Sequence, residues 1–266
     1  MPELPEVETI ARDLAPKLTG RTISRVDVRW QRSIDPRGRA ARALVGDTIA
    51  GVRRLGKYVT IDLASGRTAT VHLRMTGRLI ADPLAALPHT RIVVYFADGG
   101  SLVLSDVRKF ARLRIIDGDP REALELGIDP FDPDLTPARF LGLMRGRTTK
   151  IKVFLLDQRR LAGIGNIYAS EALFDARIPP TRPAGKLTRA QGAALLRSLR
   201  KVLRKAIYHR GSCVDDYVDA EGKPGEFQKK LAVYGRGGLP CRRCRAPIRR
   251  VVLAQRGTFF CPVCQR

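Results

Sequence analysis

Val7, Ile10, Leu14 and Leu18 recur at helical spacing behind the opening MPELPE, which predicts an amphipathic helix. Pro5 suits the first helical position, Glu6 and Glu8 complement the positive end of the helix dipole, and Gly20 can close the helix. Between residues 21 and 116 the period shortens. TISRVDVRW, YVTIDL, TATVHL, RIVVYF and SLVLSDV are short β-branched runs, several alternating apolar with polar. ADGGS between the last two reads as a hairpin turn. Short strands with tight turns predict a sandwich or a barrel of antiparallel sheet. GIDPFDPDLTP (127–137), with three prolines and three aspartates, is the candidate linker. Beyond it the pattern is helical again. TRAQGAALLRSLRKVLRKAIYHRG opens with Thr188 and Gln191 in capping-box spacing and ends at Gly211. Leu195, Leu199, Val202, Leu203, Ala206 and Ile207 form its apolar stripe, while Arg197, Arg200, Lys201, Arg204 and Lys205 fall largely elsewhere, as a solvated face.

Charge adds a partner to this outline. The 266 residues carry 49 Lys and Arg against 26 Asp and Glu, a net charge of +23. A surplus that large favours a polyanion, nucleic acid before an anionic membrane, although a generic basic protein shares it. No run of 18 apolar residues occurs and the first twenty residues lack a signal peptide's layout, so the expectation is a soluble, cytoplasmic protein without a membrane segment.

Four of the five cysteines lie in the last 26 residues. CRRC (241–244) and CPVC (261–264) bracket sixteen residues, the spacing of a four-thiolate zinc site formed by Cys241, Cys244, Cys261 and Cys264. A redox pair is the rival reading, and two such pairs at this distance argue against it. So short a tail cannot build an apolar core, which makes one structural Zn²⁺ decisive for its folding. From residue 236 onward there are eight arginines and no acid, so the hairpin RAPIRRVVLAQRGTFF presents guanidinium groups suited to phosphate oxygens. Cys213, standing apart, reads as a small buried side chain.

Helix punctuation accounts for Pro5 and Glu6 but not for Pro2 and Glu3. MPELPEVET at the start, GIGNIYASEALF in the middle, AEGKPGEF later and VYGRGGLPCRRC…QRGTFFCPVC at the end together resemble one family, in the same order over essentially the whole chain. It is the bacterial-type formamidopyrimidine-DNA glycosylases, or 8-oxoguanine DNA glycosylase/AP lyases. The resemblance implies an α+β multidomain fold: an N-terminal helix plus antiparallel β-sandwich (1–126), a linker (127–136), a helical helix–two-turn–helix domain with a lesion-capping loop (137–232), and a C-terminal four-Cys zinc β-hairpin (233–266). It implies a monomeric enzyme acting on damaged double-stranded DNA in the cytoplasm.

In that family Met1 is removed and the new N-terminal proline is the nucleophile, which gives Pro2 a purpose. A free α-amino group titrates near ~8 against ~10.4 for lysine, so more of it is unprotonated at neutral pH. Attack at the sugar C1′ gives an iminium ion, an electron sink that drives β,δ-elimination. The resemblance makes Glu3 the general acid/base, assigns Lys57 in RLGKYVTIDL to the lesion's phosphate and to proton transfer, and assigns Arg256 in QRGTFF to the phosphates and δ-elimination. Asn166, placed as a helix N-cap, Lys152 and Arg147 are implied phosphate contacts, and His89 a further DNA contact. Because a base must leave the stack before C1′ is reachable, something must fill the gap. The implied fillers are Met75 in HLRMTG and Arg108 and Phe110 in DVRKFARL. The family usually shows DPRRFG there, so Val107 and Ala111 are departures that leave the opposite-base preference open. SCVDDYVDAEGKPGEFQKK (212–230) resembles the loop that closes over the everted base. Leu4 and that loop favour oxidised purines over the oxidised pyrimidines of endonuclease VIII-like enzymes, which tend to begin MPEGPE. A zinc-hairpin DNA-binding protein without catalysis is the alternative of another class.

Overall fold

The computed structural model describes residues 1–213, 218–220 and 222–266; residues 214–217 and 221 of the expected capping loop lie outside the described residues. The chain divides into two compact units, each drawn from two stretches: residues 1–124 with 207–228, and residues 125–206 with 229–266.

In the first unit, α1 (Leu4–Leu18) is followed by two four-stranded antiparallel sheets. One has the order β1 (Ile23–Val28), β6 (Thr90–Phe96), β7 (Ser101–Asp106), β5 (Gly77–Ala81). The other runs β2 (Ile49–Leu55), β3 (Tyr58–Leu63), β4 (Thr68–His72), β8 (Arg112–Ile116). Their inner faces share one core, in which Val59, Val71, Leu104 and Ile115 meet Val7, Ile10 and Leu14 of α1. The alternation that predicted strands is thus a sandwich, and the hairpin expected at ADGGS joins β6 to β7 through Gly99 and Gly100, both at positive φ. A one-turn helix, α2 (Pro120–Ala123), follows the last strand.

Three strands carried no clear signal. In β2, IAGVRRL, charge breaks the apolar run, and its arginines find cross-strand and cross-layer partners instead. Arg53 forks onto Asp62 of β3 at 2.6 and 3.0 Å, and Arg54 donates to Glu8 of α1 at 2.8 Å. Strands β5 and β8 are likewise arginine-bearing and short. The first helix begins one residue earlier than Pro5 suggested, at Leu4, with Glu3 as its N-cap.

The second unit holds α3 (Pro137–Met144), α4 (Ile151–Leu156), α5 (Asn166–Asp175) and most of α6 (Arg189–Tyr208), with the hairpin β9 (Arg249–Leu253) and β10 (Arg256–Phe260). The reciprocal Thr188–Gln191 cap forms as expected, at 3.1 and 3.2 Å. The helix ends three residues before Gly211, at Tyr208. The Pro/Asp-rich stretch expected as a linker is packed into this unit. Leu135 is fully buried, and the Arg200 guanidinium donates to the carbonyls of Pro130, Asp132 and Leu135 at 2.7–3.0 Å. Arg200, read from sequence as part of a solvated face, is therefore the clasp of that stretch. No helix among the described residues is long and apolar enough to cross a membrane.

Candidate active site and nucleic-acid interface

The amino terminus of the first unit is built around buried carboxylates. Pro2 is buried, Glu3 is 3% exposed and Glu6 is 2% exposed. Glu6 does more than complement a dipole. Its Oε2 accepts the Glu3 backbone N–H at 2.9 Å, one half of a capping box. Its Oε1 accepts the backbone N–H of Ser212 at 2.7 Å, pinning the root of the 212–230 segment to the first turn of α1. The fit is close: Gly211 sits at φ +81°, and a Cβ there would lie 2.8 Å from Glu6 Cγ and Oε1. Asp219, 1% exposed, and Asp13 both accept from Arg210, tying the same segment to α1 a second time. The sequence showed Glu6 only as a complement to the helix dipole and did not single out Arg210, because the Glu6–Ser212 and Arg210–Asp13 bonds span 206 and 197 positions.

Lys57 stands in the tight turn between β2 and β3, beside Gly56 at φ +58°, and is 7% exposed. Arg54, through Glu8, fixes this turn to α1. His72 on β4 lies across from Tyr58, ring centroids 4.7 Å apart and edge-to-face, and its Nδ1 accepts the Arg74 backbone N–H at 3.0 Å. Burial, reinforced by the positive charges of Arg74 and Lys57, drops its pKa from 6.5 to about 3, so the imidazole is neutral at physiological pH.

The expected gap-filling residues come together on two neighbouring loops. Met75, in the β4–β5 turn, is 38% exposed, and Phe110, between β7 and β8, is 46% exposed. Large apolar side chains held in water at loop tips are what a wedge into a base stack requires. An Arg108 guanidinium nitrogen lies 3.2 Å from Met75 Sδ, and the same guanidinium covers the Phe110 ring at 4.9 Å. His89 is exposed on the loop before β6. Arg74, His89 and Lys109, each beside or among these residues, occupy left-handed backbone, a strain that non-glycine residues carry only where the surroundings enforce it.

In the second unit, α4, two turns and α5 form the expected helix–two-turn–helix. Gln158 stitches the turns: its amide donates to the carbonyls of Leu156 and Ile164, and its carbonyl accepts Gly163 N–H. Gly165 is the N-cap and Asn166 the first helical residue, so the helix starts one position earlier than the sequence suggested. Asn166 Nδ2 donates to the carbonyl of Gly257, next to Arg256 at the hairpin tip. Arg256 is exposed. Arg147 is half-buried, with Nε on the carbonyl of Leu143.

Lys152 departs from expectation. It is 1% exposed, and its ammonium donates to Ser170 Oγ at 2.9 Å, Thr258 Oγ1 at 3.0 Å and Gly257 O at 3.3 Å. A cation so enclosed clasps β10 to α5 rather than reaching out to a phosphate. Glu171 of α5 is a further clasp that sequence reasoning missed, accepting the backbone N–H groups of Ala232, Val233 and Tyr234 at 2.8–2.9 Å. Burial raises its pKa despite these three donors.

The four sulfurs of Cys241, Cys244, Cys261 and Cys264 all lie within 4.8 Å of one another, with pairs at 3.4 and 4.0 Å. A tetrahedral site with Zn–S near ~2.3 Å requires sulfurs about 3.8 Å apart, so the donor set fits one zinc ion. Gln265 anchors the second knuckle, accepting Cys261 N–H and donating to Ile178 O.

Residues 1–113 match the formamidopyrimidine-DNA glycosylase N-terminal domain, residues 126–217 that family's H2TH domain, and residues 238–266 the zinc finger found in FPG and IleRS. A formamidopyrimidine-DNA glycosylase of Chloroflexus aggregans is 46% identical over 273 residues, covering all of this chain and 98% of that one. The crystal structure of MutM (FPG) from Thermus thermophilus superposes with a TM-score of 0.89 at 41% identity, covering 99% of this chain and 98% of that one. A Lactococcus lactis FPG (MutM) complex with DNA containing FAPY-dG gives 0.89 at 35% identity, over 99% and 100%. With these matches running from one end to the other, the chain belongs to the formamidopyrimidine-DNA glycosylase family.

Proposed function

We propose that this protein is a base-excision repair enzyme that everts and excises oxidised purines, 8-oxoguanine and formamidopyrimidines, from duplex DNA and then cleaves the strand. The observation that carries the reading is the amino terminus: Pro2 and Glu3 buried immediately before the opening turn of α1, with the Glu3 backbone held by a Glu6 carboxylate that also anchors the 212–230 segment.

With Met1 removed, the Pro2 nitrogen is a secondary amine and attacks C1′ of the lesion. The C1′–N bond to the base and the C1′–O4′ bond of the ring both break, the Pro2 nitrogen gives up its proton, and Glu3 or Lys57 supplies the protons taken up by the departing base and the opened ring oxygen. The resulting iminium carries positive charge without a proton on nitrogen, so loss of a C2′ proton expels the 3′ phosphate and a second elimination expels the 5′ phosphate. Met75, Arg108 and Phe110 fill the vacated stack, and His89, Arg147, Asn166 and Arg256 contact the backbone. Lys152, enclosed by Ser170, Thr258 and Gly257, supports the hairpin that carries Arg256. One structural zinc, held by the four cysteines, stabilises that hairpin. The enzyme acts as a monomer in the cytoplasm, on the nucleoid, with the segment 212–230 closing over the everted base.

The decisive experiment is borohydride trapping on a duplex carrying 8-oxoguanine opposite cytosine, with Met1 removal verified by mass spectrometry. An adduct mapped to Pro2, absent in Pro2→Gly, establishes chemistry and substrate together. Trapping on a dihydrothymine duplex but not on 8-oxoguanine would reassign the enzyme to oxidised pyrimidines. Binding without trapping or nicking on either would leave a DNA-binding protein.

A further inference from the structure

The gap-filling side chains are far apart in sequence, and one buried carboxylate joins them. Asp106, 1% exposed, is the last residue of β7. Its Oδ1 accepts the Thr76 hydroxyl and the Arg108 backbone N–H, the latter at 3.1 Å. Its Oδ2 accepts the backbone N–H groups of Phe110 and Ala111 at 2.6 and 2.7 Å. Thr76 Oγ1 in turn lies 3.3 Å from Arg108 N, so the hydroxyl donates to the carboxylate and accepts from the loop. The donors come from two loops, one carrying Met75 and the other carrying Arg108 and Phe110.

A merely local aspartate would tie down its own turn. Asp106 also reaches across to Thr76, and its main chain extends the connection. Its N–H donates to the carbonyl of His89 at 3.0 Å, and its carbonyl accepts Arg91 Nε at 2.9 Å. The left-handed Lys109 between Arg108 and Phe110 needs such over-determination. A carboxylate accepting from main-chain N–H groups is among the stronger neutral-donor arrangements available, and buried here it is shielded from competing water. Val107 and Ala111, standing where a stiffening proline and glycine were expected, place that much more of the loop's rigidity on the carboxylate.

We infer that Asp106, relayed by Thr76, is a positioning residue that presets Met75, Arg108 and Phe110 as one wedge, so that they enter the vacated base stack together. This rests on the reading of those three residues as gap-fillers. The preset lowers the ordering cost of insertion, so its loss should slow lesion excision from duplex DNA while sparing chemistry that needs no eversion.

The test compares Thr76→Val, Thr76→Ser and Asp106→Asn with the parent enzyme under single-turnover conditions. The substrates are 8-oxoguanine opposite cytosine, 8-oxoguanine opposite adenine, and a single strand bearing a preformed abasic site. Thr76→Val should slow excision from the duplex about tenfold, the scale of one lost charge-assisted hydrogen bond, and narrow the cytosine-over-adenine preference. Cleavage of the abasic single strand should stay near the parent rate, and Thr76→Ser should restore the duplex rate. Asp106→Asn, which turns an NH₂ toward two N–H donors, should exceed Thr76→Val in effect; should it fail to fold, as judged by the emission of Trp30, the only tryptophan, the Thr76 pair carries the test. A Thr76→Val enzyme with parent duplex rate and preference, or one slowed equally on the abasic single strand, overturns the inference. Met75→Ala and Phe110→Ala distinguish the deeper failure: parent rates in both would overturn the gap-filling reading, and the wedge with it.

Discussion

His72 lends itself to a worked prediction, because it is a buried neutral base beside two cations. Its imidazole binds a proton below about 6.5 in the unfolded chain but only below about 3 when folded. Between these values the unfolded state holds the extra proton, so stability falls as the pH falls. The linkage integral at pH 4.5 is about 2.7 kcal/mol, against about 0.2 kcal/mol at pH 7, a net loss of about 2.5 kcal/mol from this one group. A folded pKa one higher changes the result by only about 0.1 kcal/mol, since the folded term matters only as the pH approaches it. The comparison is His72→Asn, whose Oδ1 stands close to where Nδ1 accepts the Arg74 N–H and which does not titrate. Trp30 lies in the first unit and is the only tryptophan, so its emission follows the unfolding of that unit alone. Urea titrations at pH 7 and pH 4.5 should show the parent losing about 2–3 kcal/mol more than the variant, with carboxylate effects common to both cancelling. Equal losses in the two proteins would refute the claim that His72 is desolvated and neutral.

Removing zinc should release four titratable thiols and abolish amide protection in β9–β10, since on the order of 10 kcal/mol of metal binding supports that hairpin; retained protection after chelation would show that it folds without metal. Lys152→Met should cost about 1–3 kcal/mol and speed amide exchange in β10, yet leave the slope of log K against log salt unchanged. A slope reduced by about one would instead show that the ammonium reaches a phosphate. Gly211→Ala should lower stability by about 1–3 kcal/mol and slow lesion excision, because it combines a left-handed backbone with a Cβ pressed onto the Glu6 carboxylate; unchanged rates would separate that contact from catalysis.

What the sequence disclosed and what it withheld follow from the range of the interactions. YVTIDL became β3 residue for residue, and the Thr188–Gln191 cap formed, because alternation and capping are written within a few positions. The two Cys-x-x-Cys knuckles announced their metal for the same reason. Strand β2 was hidden because its arginines depend on partners, Asp62 and Glu8, that lie in other elements, and β5 and β8 because they are short and broken by arginines. Lys152 shows the converse hazard. A lysine in a basic protein reads as a phosphate contact until the fold surrounds it with Ser170, Thr258 and Gly257. Asp106 and Glu171 gave no signal, since a carboxylate collecting backbone N–H groups has no required spacing.

The bond from Glu6 to Ser212 spans 206 positions. At ~5–20 residues per second, a ribosome takes roughly 10–40 s to travel that distance. For that interval the Glu6 carboxylate lacks its distant partner, and the opening turn of α1 is tethered at one end only. An exopeptidase that trims the leading methionine therefore meets a looser amino terminus during synthesis than it would afterwards. The order in which the polypeptide emerges thus permits the amino terminus to be trimmed first and locked into place last.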